Sequence, residues 1–261
     1  MRHSPDEALR DTVGTPDTLA EGDTVRLDAT AAAALRMRKV NVKEAFTLRD
    51  GAGQYFRAAL QGLDANGAKA LAYARMDLCP ESPLRITLVC AVLQRQRMLV
   101  VAQKAAELGV WTLQPVVTLK SVQMDGLGHE KAHAWPGQSL KGSRQCRRGR
   151  VPAVGETVTL EACFEAPWWT SAAVRVFLDD RSAPEAAAAL DALAAAPPPR
   201  DLILVVGPEG GFADVERAAL RAANALPLRL GGRVLRAETA VFAGLSVLQH
   251  RLGDMGWPTN D

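Results

Sequence analysis

The 261-residue sequence has four cysteines, Cys79, Cys90, Cys146 and Cys163, and no two of them stand at Cys-x-x-Cys spacing. Nothing in their placement outlines a disulfide framework, so reduced thiols in a cytoplasmic protein are the expectation. The start, Met1-Arg2-His3-Ser4-Pro5-Asp6-Glu7, has no apolar stretch. No apolar run elsewhere is long enough to span a bilayer, so no membrane association is expected. Two common nucleotide loops are missing as well. Gly207-Pro208-Glu209-Gly210-Gly211-Phe212 does not supply the Gly-x-Gly-x-x-Gly spacing of a dinucleotide site, and no Gly-Lys-Ser/Thr of a phosphate-cradling loop occurs. Ser121, Ser143 and the cysteines sit in no nucleophile elbow or Cys/His pair, which argues against covalent acyl chemistry.

What the chain does have is apolar content enough for a sizeable core: 48% of its residues are hydrophobic. Its net charge of +2 says little, but the distribution is uneven. Lys141, Arg144, Arg147, Arg148 and Arg150 fall within ten residues that contain no acid. Such a run is either a solvated loop or, beside a pocket, a phosphate-binding footprint.

Along the chain, residues 1–18 are polar and expected to be irregular at the start. Short strand-like segments follow at Thr24–Leu27, Ala45–Leu48, Gln54–Ala58 and Ala70–Tyr73, with turn signals at Asp50–Gly53 and Asn66-Gly67 and one alanine-rich helix, Ala29–Arg36. This reads as a small β-barrel-like domain over 1–78. Two prolines in Cys79-Pro80-Glu81-Ser82-Pro83 mark a linker, 79–83. From 84 to 261 strands alternate with helices, the pattern of an α/β domain with a mostly parallel sheet. Its strands are expected at Ile86–Val92, Trp111–Val117, Val174–Leu178, Leu202–Val206 and Leu226–Leu230. Helices are expected at Arg95–Leu108, Ala186–Ala196 (stopped by Pro197-Pro198-Pro199), Ala213–Asn224 and from about Thr239. The last carries Val241, Leu245, Leu248 and Leu252 on one stripe, for core or interface packing.

His129-Glu130-Lys131-Ala132-His133 matches the His-Glu-x-x-His pattern of zinc peptidases. That chemistry needs both imidazoles on one face of a sound helix. Here glycines precede the segment and Pro136-Gly137 follow it, so a solvent-facing turn is expected, and neither a metal site nor a zinc hydrolase.

The most informative segment is Leu202-Ile-Leu-Val-Val-Gly-Pro-Glu-Gly-Gly211. An apolar run halts at glycines, where a ligand can approach the backbone closely. A second glycine turn, Leu230-Gly-Gly-Arg-Val-Leu-Arg-Ala-Glu-Thr-Ala240, again leads into a helix. Each loop alone could be an ordinary strand–turn–helix connection, but together they outline a small-molecule pocket. Glu209 would repel phosphate, so a neutral or cationic ligand with an adenine-like part fits better.

These two turns, with Arg97-Met98, Gln103–Val110 and Pro115, resemble the RsmE family, SPOUT-class enzymes that methylate N3 of a uridine in 16S ribosomal RNA. The resemblance runs from about Glu81 to Gly256. It implies a SPOUT domain with a deep trefoil knot, one of the rare exceptions to unknotted topology, preceded by a PUA-like RNA-binding barrel. It also implies S-adenosylmethionine as cofactor, a homodimer built partly on the final helix, and 16S rRNA or the small ribosomal subunit as partner. On the first loop, Val206, Gly207, Pro208, Glu209, Gly210 and Gly211 would line the cofactor site, closed by Leu178 from the strand before. On the second, Leu230, Gly231, Val234, Leu235, Arg236, Thr239 and Ala240 would do so. Arg236 would neutralise the uracil oxygen during methyl transfer, and Glu238 or Glu209 would orient groups or accept the N3 proton. Arg36, Arg38, Lys39, Lys104, Lys141, Arg144, Arg147, Arg148 and Arg150 are the expected RNA contacts. A ribose 2′-O methyltransferase and a catalytically silent RNA-binding protein remain the alternatives. The sequence departs from the family at Leu99, Leu119 and Arg144, where acids are usual, and at Ala213, where a helix-capping Ser is usual. Pro136-Gly137 are expected to interrupt a helix.

Overall fold

The computed structural model describes residues 5–181, 184–197 and 200–256. Residues 1–4, part of the stretch expected to be irregular, and Pro198 and Pro199, expected to stop a helix, lie outside the described residues.

The chain divides into two compact units. One holds the residues up to Glu81 together with Ser143–Ala153; the other holds Ser82–Gly142 and the residues from Val154 onward. From Arg144 onward the basic segment is thus part of the first unit, while Lys141 belongs to the second, and the chain crosses between units at more places than the 79–83 linker.

In the first unit the elements are α1 (Pro5–Arg10), β1 (Val13–Gly14), β2 (Thr24–Leu27), α2 (Ala29–Met37), β3 (Ala45–Arg49), β4 (Tyr55–Asp64) and β5 (Gly67–Arg75). They form a five-stranded sheet in the order β1-β3-β4-β5-β2. Asp28 starts α2 as its N-cap, its carboxylate accepting from the Ala31 N–H at 2.7 Å. Ala31, Ala32, Ala34 and Leu35 of that helix share one core with Leu27, Leu48 and Leu60. Contrary to the expectation for the polar start, α1 and β1 are regular: Leu9 packs against this core and Val13 is buried in it. A few well-placed apolar side chains suffice to fix a segment that reads as polar overall.

In chain order there follow β6 (Leu84–Ala91), α3 (Arg95–Glu107), β7 (Val110–Val117), α4 (Trp135–Gln145), β8 (Ala153–Val154), β9 (Val158–Thr159) and α5 (Pro167–Ser171). Beyond them lie β10 (Val174–Leu178), α6 (Pro184–Ala195), β11 (Arg200–Val206), α7 (Asp214–Ala222), β12 (Leu226–Leu228) and α8 (Ala237–Leu252). Strands run in the order β12-β10-β11-β6-β7, and each of these pairings is parallel. The second unit is therefore an α/β fold around a parallel sheet. β6 and β11 at its centre are buried along nearly their whole length, as parallel strands covered on both faces must be. Val241, Leu245, Leu248 and Leu252 of α8 join the core of their own chain, so that stripe is spent on packing within the unit. Pro136 and Gly137 lie in the first turn of α4 and do not interrupt it. A proline there removes no intrahelical hydrogen bond, since first-turn N–H groups have no partner in the helix.

Candidate active site

Because β12, β10 and β11 are adjacent and parallel, their carboxyl ends open on one edge of the sheet. Three connections meet there: the residues after Leu178, the loop 207–213 and the loop 229–236. They enclose a cleft of about 370 Å³, of a size for a small-molecule ligand. Strand ends of an open α/β sheet are the usual place for one.

The first loop turns tightly, with the Gly211 N–H donating to the Pro208 carbonyl at 2.9 Å. Gly211 (φ +64°) and Gly231 (φ +151°) adopt backbone conformations that side chains disfavour. An added Cβ at Gly207 would press on the buried Phe212 ring at 3.1 Å, and one at Gly210 would meet the Lys120 side chain at Cδ (3.1 Å) and Cβ (3.3 Å). The loop is braced from both sides. Arg217 reaches both carboxylate oxygens of Asp179 at 3.2 Å and donates to the Phe212 carbonyl at 2.6 Å. Lys120 Nζ donates to the Gly210 carbonyl at 3.1 Å. Ala213 has no side chain to cap α7, but the buried Glu216 side chain accepts from the Ala213 N–H at 2.7 Å and from the Leu119 N–H at 2.8 Å. Asp180, beside Asp179 on the cleft wall, titrates below its ordinary range, first because of its hydrogen bond with the Asp179 carboxyl.

On the opposite side of the loop, Arg97 Nη1 donates to Glu209 Oε1 at 2.6 Å. The same guanidinium stands 3.7 Å from Glu238 Oε1. Arg236 occupies the N-cap position of α8, exposed, with no side-chain capping bond. Thr239 lies one turn further on and is not the cap.

A model of the RNA methyltransferase domain matches residues 80–249. The ribosomal RNA small subunit methyltransferase E of Mycobacterium bovis is 31% identical over 218 residues, covering 82% of this chain and 81% of that protein. The chain belongs to the RsmE family. The Buchnera aphidicola (Schizaphis graminum) member is 28% identical over 179 residues, 67% of this chain and 69% of its own. Among solved structures, the RsmE protein of Neisseria gonorrhoeae bound to S-adenosyl methionine superposes with a TM-score of 0.63 at 27% identity, covering 93% of this chain and 98% of that one. A methyltransferase from Legionella pneumophila in complex with the same cofactor gives 0.62 at 30%, with the same coverage.

Most of the residues that pointed to RsmE for cofactor binding line the cleft: Leu178, Val206 to Gly211, Leu230, Gly231, Val234, Leu235 and Ala240. Arg236, Glu238 and Thr239 do not line it. Asp179, Asp180, Phe212, Arg217, Leu228, Arg229, Gly232, Arg233 and Ala237 complete the wall and went unread. Asp179-Asp180 had a usable signal, two acids directly after an apolar strand. Arg217 had none, because only the fold brings a helix residue back to the strand end.

Three of the expected RNA contacts are corrected. Arg38, Arg148 and Arg150 are buried. Arg38 donates to the carbonyls of Leu9, Arg10 and Gly149, and burial pulls it down to about 10. Arg148 pairs with Glu81 at 2.8 Å, and Arg150 with Asp11. These guanidiniums hold the first unit together and are not available to phosphate. Arg36, Lys39, Lys104, Lys141, Arg144 and Arg147 are surface residues, although Lys104 is paired with Glu107 and Arg144 with Glu44, both at 2.9 Å.

Through His129–His133 the backbone turns left-handed at Lys131 (φ 55°) between short 3₁₀ turns. The helical spacing that would place both imidazoles on one face is not formed. Cys90 and Cys163 are pushed up to about 12, in each case chiefly by burial, so both stay thiols at neutral pH and neither is a nucleophile.

Proposed function

We propose that this chain is an S-adenosylmethionine-dependent methyltransferase of small-subunit rRNA that methylates N3 of a uridine, and that the cleft at the ends of β10, β11 and β12 holds the cofactor. The carrying observation is the pair of glycine loops, which present backbone donors and acceptors around a wall that bears Asp179, Asp180 and Glu209 together with Arg217, Arg229 and Arg233. A wall of both charges suits a ligand that carries a sulfonium, an ammonium and a carboxylate. The cofactor, when bound, supplies a methyl already activated on sulfur. The protein's task is then to position the target, exclude water and manage one proton. Arg236, whose side chain makes no hydrogen bond or ion pair among the described residues, neutralises the charge that develops on the uracil oxygen as N3 loses its proton. Glu238 or Glu209 accepts that proton. We assign the architecture accordingly: a SPOUT α/β-knot behind a PUA-like barrel.

Calorimetry with S-adenosylhomocysteine tests the reading. Binding at micromolar protein is expected, and absence of heat from folded protein would overturn it. Gly211→Val should weaken that binding about tenfold or more, because a β-branched residue at positive φ relaxes out of the shape the ligand needs. Gly210→Ala should be milder, since Gly210 is not at positive φ.

The proposal extends to a homodimer. Val234 on the lip of the cleft is 98% exposed and Val247 on α8 is 50% exposed, apolar surface that a second copy would cover. Light scattering should give twice the chain mass, and a monomer at assay concentration would exclude this part.

A further inference from the structure

We propose that Arg97 is the positioning residue of this site, a single cation that sets both cofactor-side loops; the inference rests on the cofactor reading above. Arg97 lies in the first turn of α3, which carries Arg95 and Arg97 and no acid. Cations at a helix N-terminus oppose the macrodipole, so their presence there is not explained by the helix itself. What it does explain is the placement of two carboxylates from distant segments. Glu209, from the loop after β11, accepts from Arg97 Nη1 at 2.6 Å and approaches the free Gln94 N–H at the start of α3 at 3.5 Å. Glu209 thus offers an acceptor to the N-cap N–H of α3, while Gln94 makes no side-chain cap of its own. Glu238, in the first turn of α8, places Oε1 3.7 Å from Arg97 Nε, while its Oε2 is buried without a hydrogen-bond partner.

One guanidinium thus stands between an acid of the first loop and an acid just past the second. Without it, both carboxylates would lose this counter-charge. Among the described residues, Glu209 would keep only its approach to the Gln94 N–H, and Glu238 would lose the cation at 3.7 Å. Arg97 does not line the cleft, so its influence on the ligand passes through Glu209 and the backbone on either side of it. A planar guanidinium addresses two acceptors in a fixed geometry, whereas an ammonium gathers its three donors on one compact point charge. The pairs are about one-third exposed, so screening limits the effect to a moderate one.

The test uses the full chain with four variants: Arg97→Gln, Arg97→Lys, Glu209→Gln and the double Arg97→Gln/Glu209→Gln. Melting temperature and affinity for S-adenosylhomocysteine are measured for each. Arg97→Gln should bind about tenfold more weakly, the scale of one lost charge-assisted hydrogen bond. Glu209→Gln should lose a similar factor, and the double variant no more than the weaker single, because the two residues act as one unit. Arg97→Lys should recover most of the affinity through Glu209, yet stay below wild type in kcat because Glu238 is left unpaired. Losses that multiply in the double variant would overturn the proposal, as would wild-type affinity in a folded Arg97→Gln chain. Should Arg97→Gln fail to fold, Glu209→Gln carries the same test from the other partner, and unchanged affinity there is the contrary result. If the wild-type chain itself binds no S-adenosylhomocysteine, the cofactor reading falls first and this inference with it.

Discussion

Arg236→Ala is expected to leave affinity for S-adenosylhomocysteine nearly unchanged and to lower methyl-transfer turnover by roughly 10²-fold or more, the scale for losing one preorganised donor to a developing oxyanion. The placement of Arg236 is the reason for the split. It stands at the N-cap of α8, where its backbone carbonyl accepts from the Ala240 N–H at 2.8 Å while its side chain makes no capping bond. The guanidinium is exposed and outside the cleft lining. Removing it therefore takes nothing from the cofactor wall. A cation at this end of a helix also works against the macrodipole, so its removal should not destabilise the fold. Steady-state kinetics on small-subunit rRNA, set beside calorimetry, gives both numbers. A fall in kcat and kcat/KM together marks an interaction made in the transition state. Equal losses of cofactor affinity and turnover would show that Arg236 serves binding instead.

A second large effect concerns stability. Glu81→Ala should destabilise the protein by about 3–5 kcal/mol, the scale for breaking a buried ion pair by removing one side of it. Glu81 accepts from Arg148 Nε at 3.1 Å and Nη2 at 2.8 Å, and from the Arg150 N–H at 2.9 Å. The Arg148 side chain is 4% exposed and that of Glu81 13%, so water cannot take over when the carboxylate is removed. By contrast, Arg144→Ala breaks a pair exposed on both sides and should cost under about 1 kcal/mol. Urea unfolding of the two variants makes the comparison. Similar midpoints would show that the Glu81 cluster is solvated in solution.

The same cluster shows where the sequence stops being legible. A run of five cations in ten residues cannot say which acids face it, because Glu81 is 67 residues from Arg148 and Asp11 is 139 from Arg150. Glu81 itself lies between two prolines and reads as linker, yet it anchors the basic segment. Parallel strands of the second unit were readable because burial on both faces makes each one a continuous apolar run. β4 and β5 extend well past the segments read for them, since Gln61, Gly62 and Lys69 break the apolar pattern while the ladder between the strands continues. The glycine loops were readable because Gly and Pro punctuate the ends of strands. Their braces were not: Arg97 meets Glu209 across 112 residues, and Arg217 returns from a helix to the end of β10 only in the folded chain.

Mass spectrometry of 16S rRNA from a strain with this gene deleted tests the central claim most directly. Loss of a single N3-methyluridine, restored by the wild-type chain and not by Arg236→Ala, is the predicted result. An N3-methyluridine content unchanged by the deletion would contradict it.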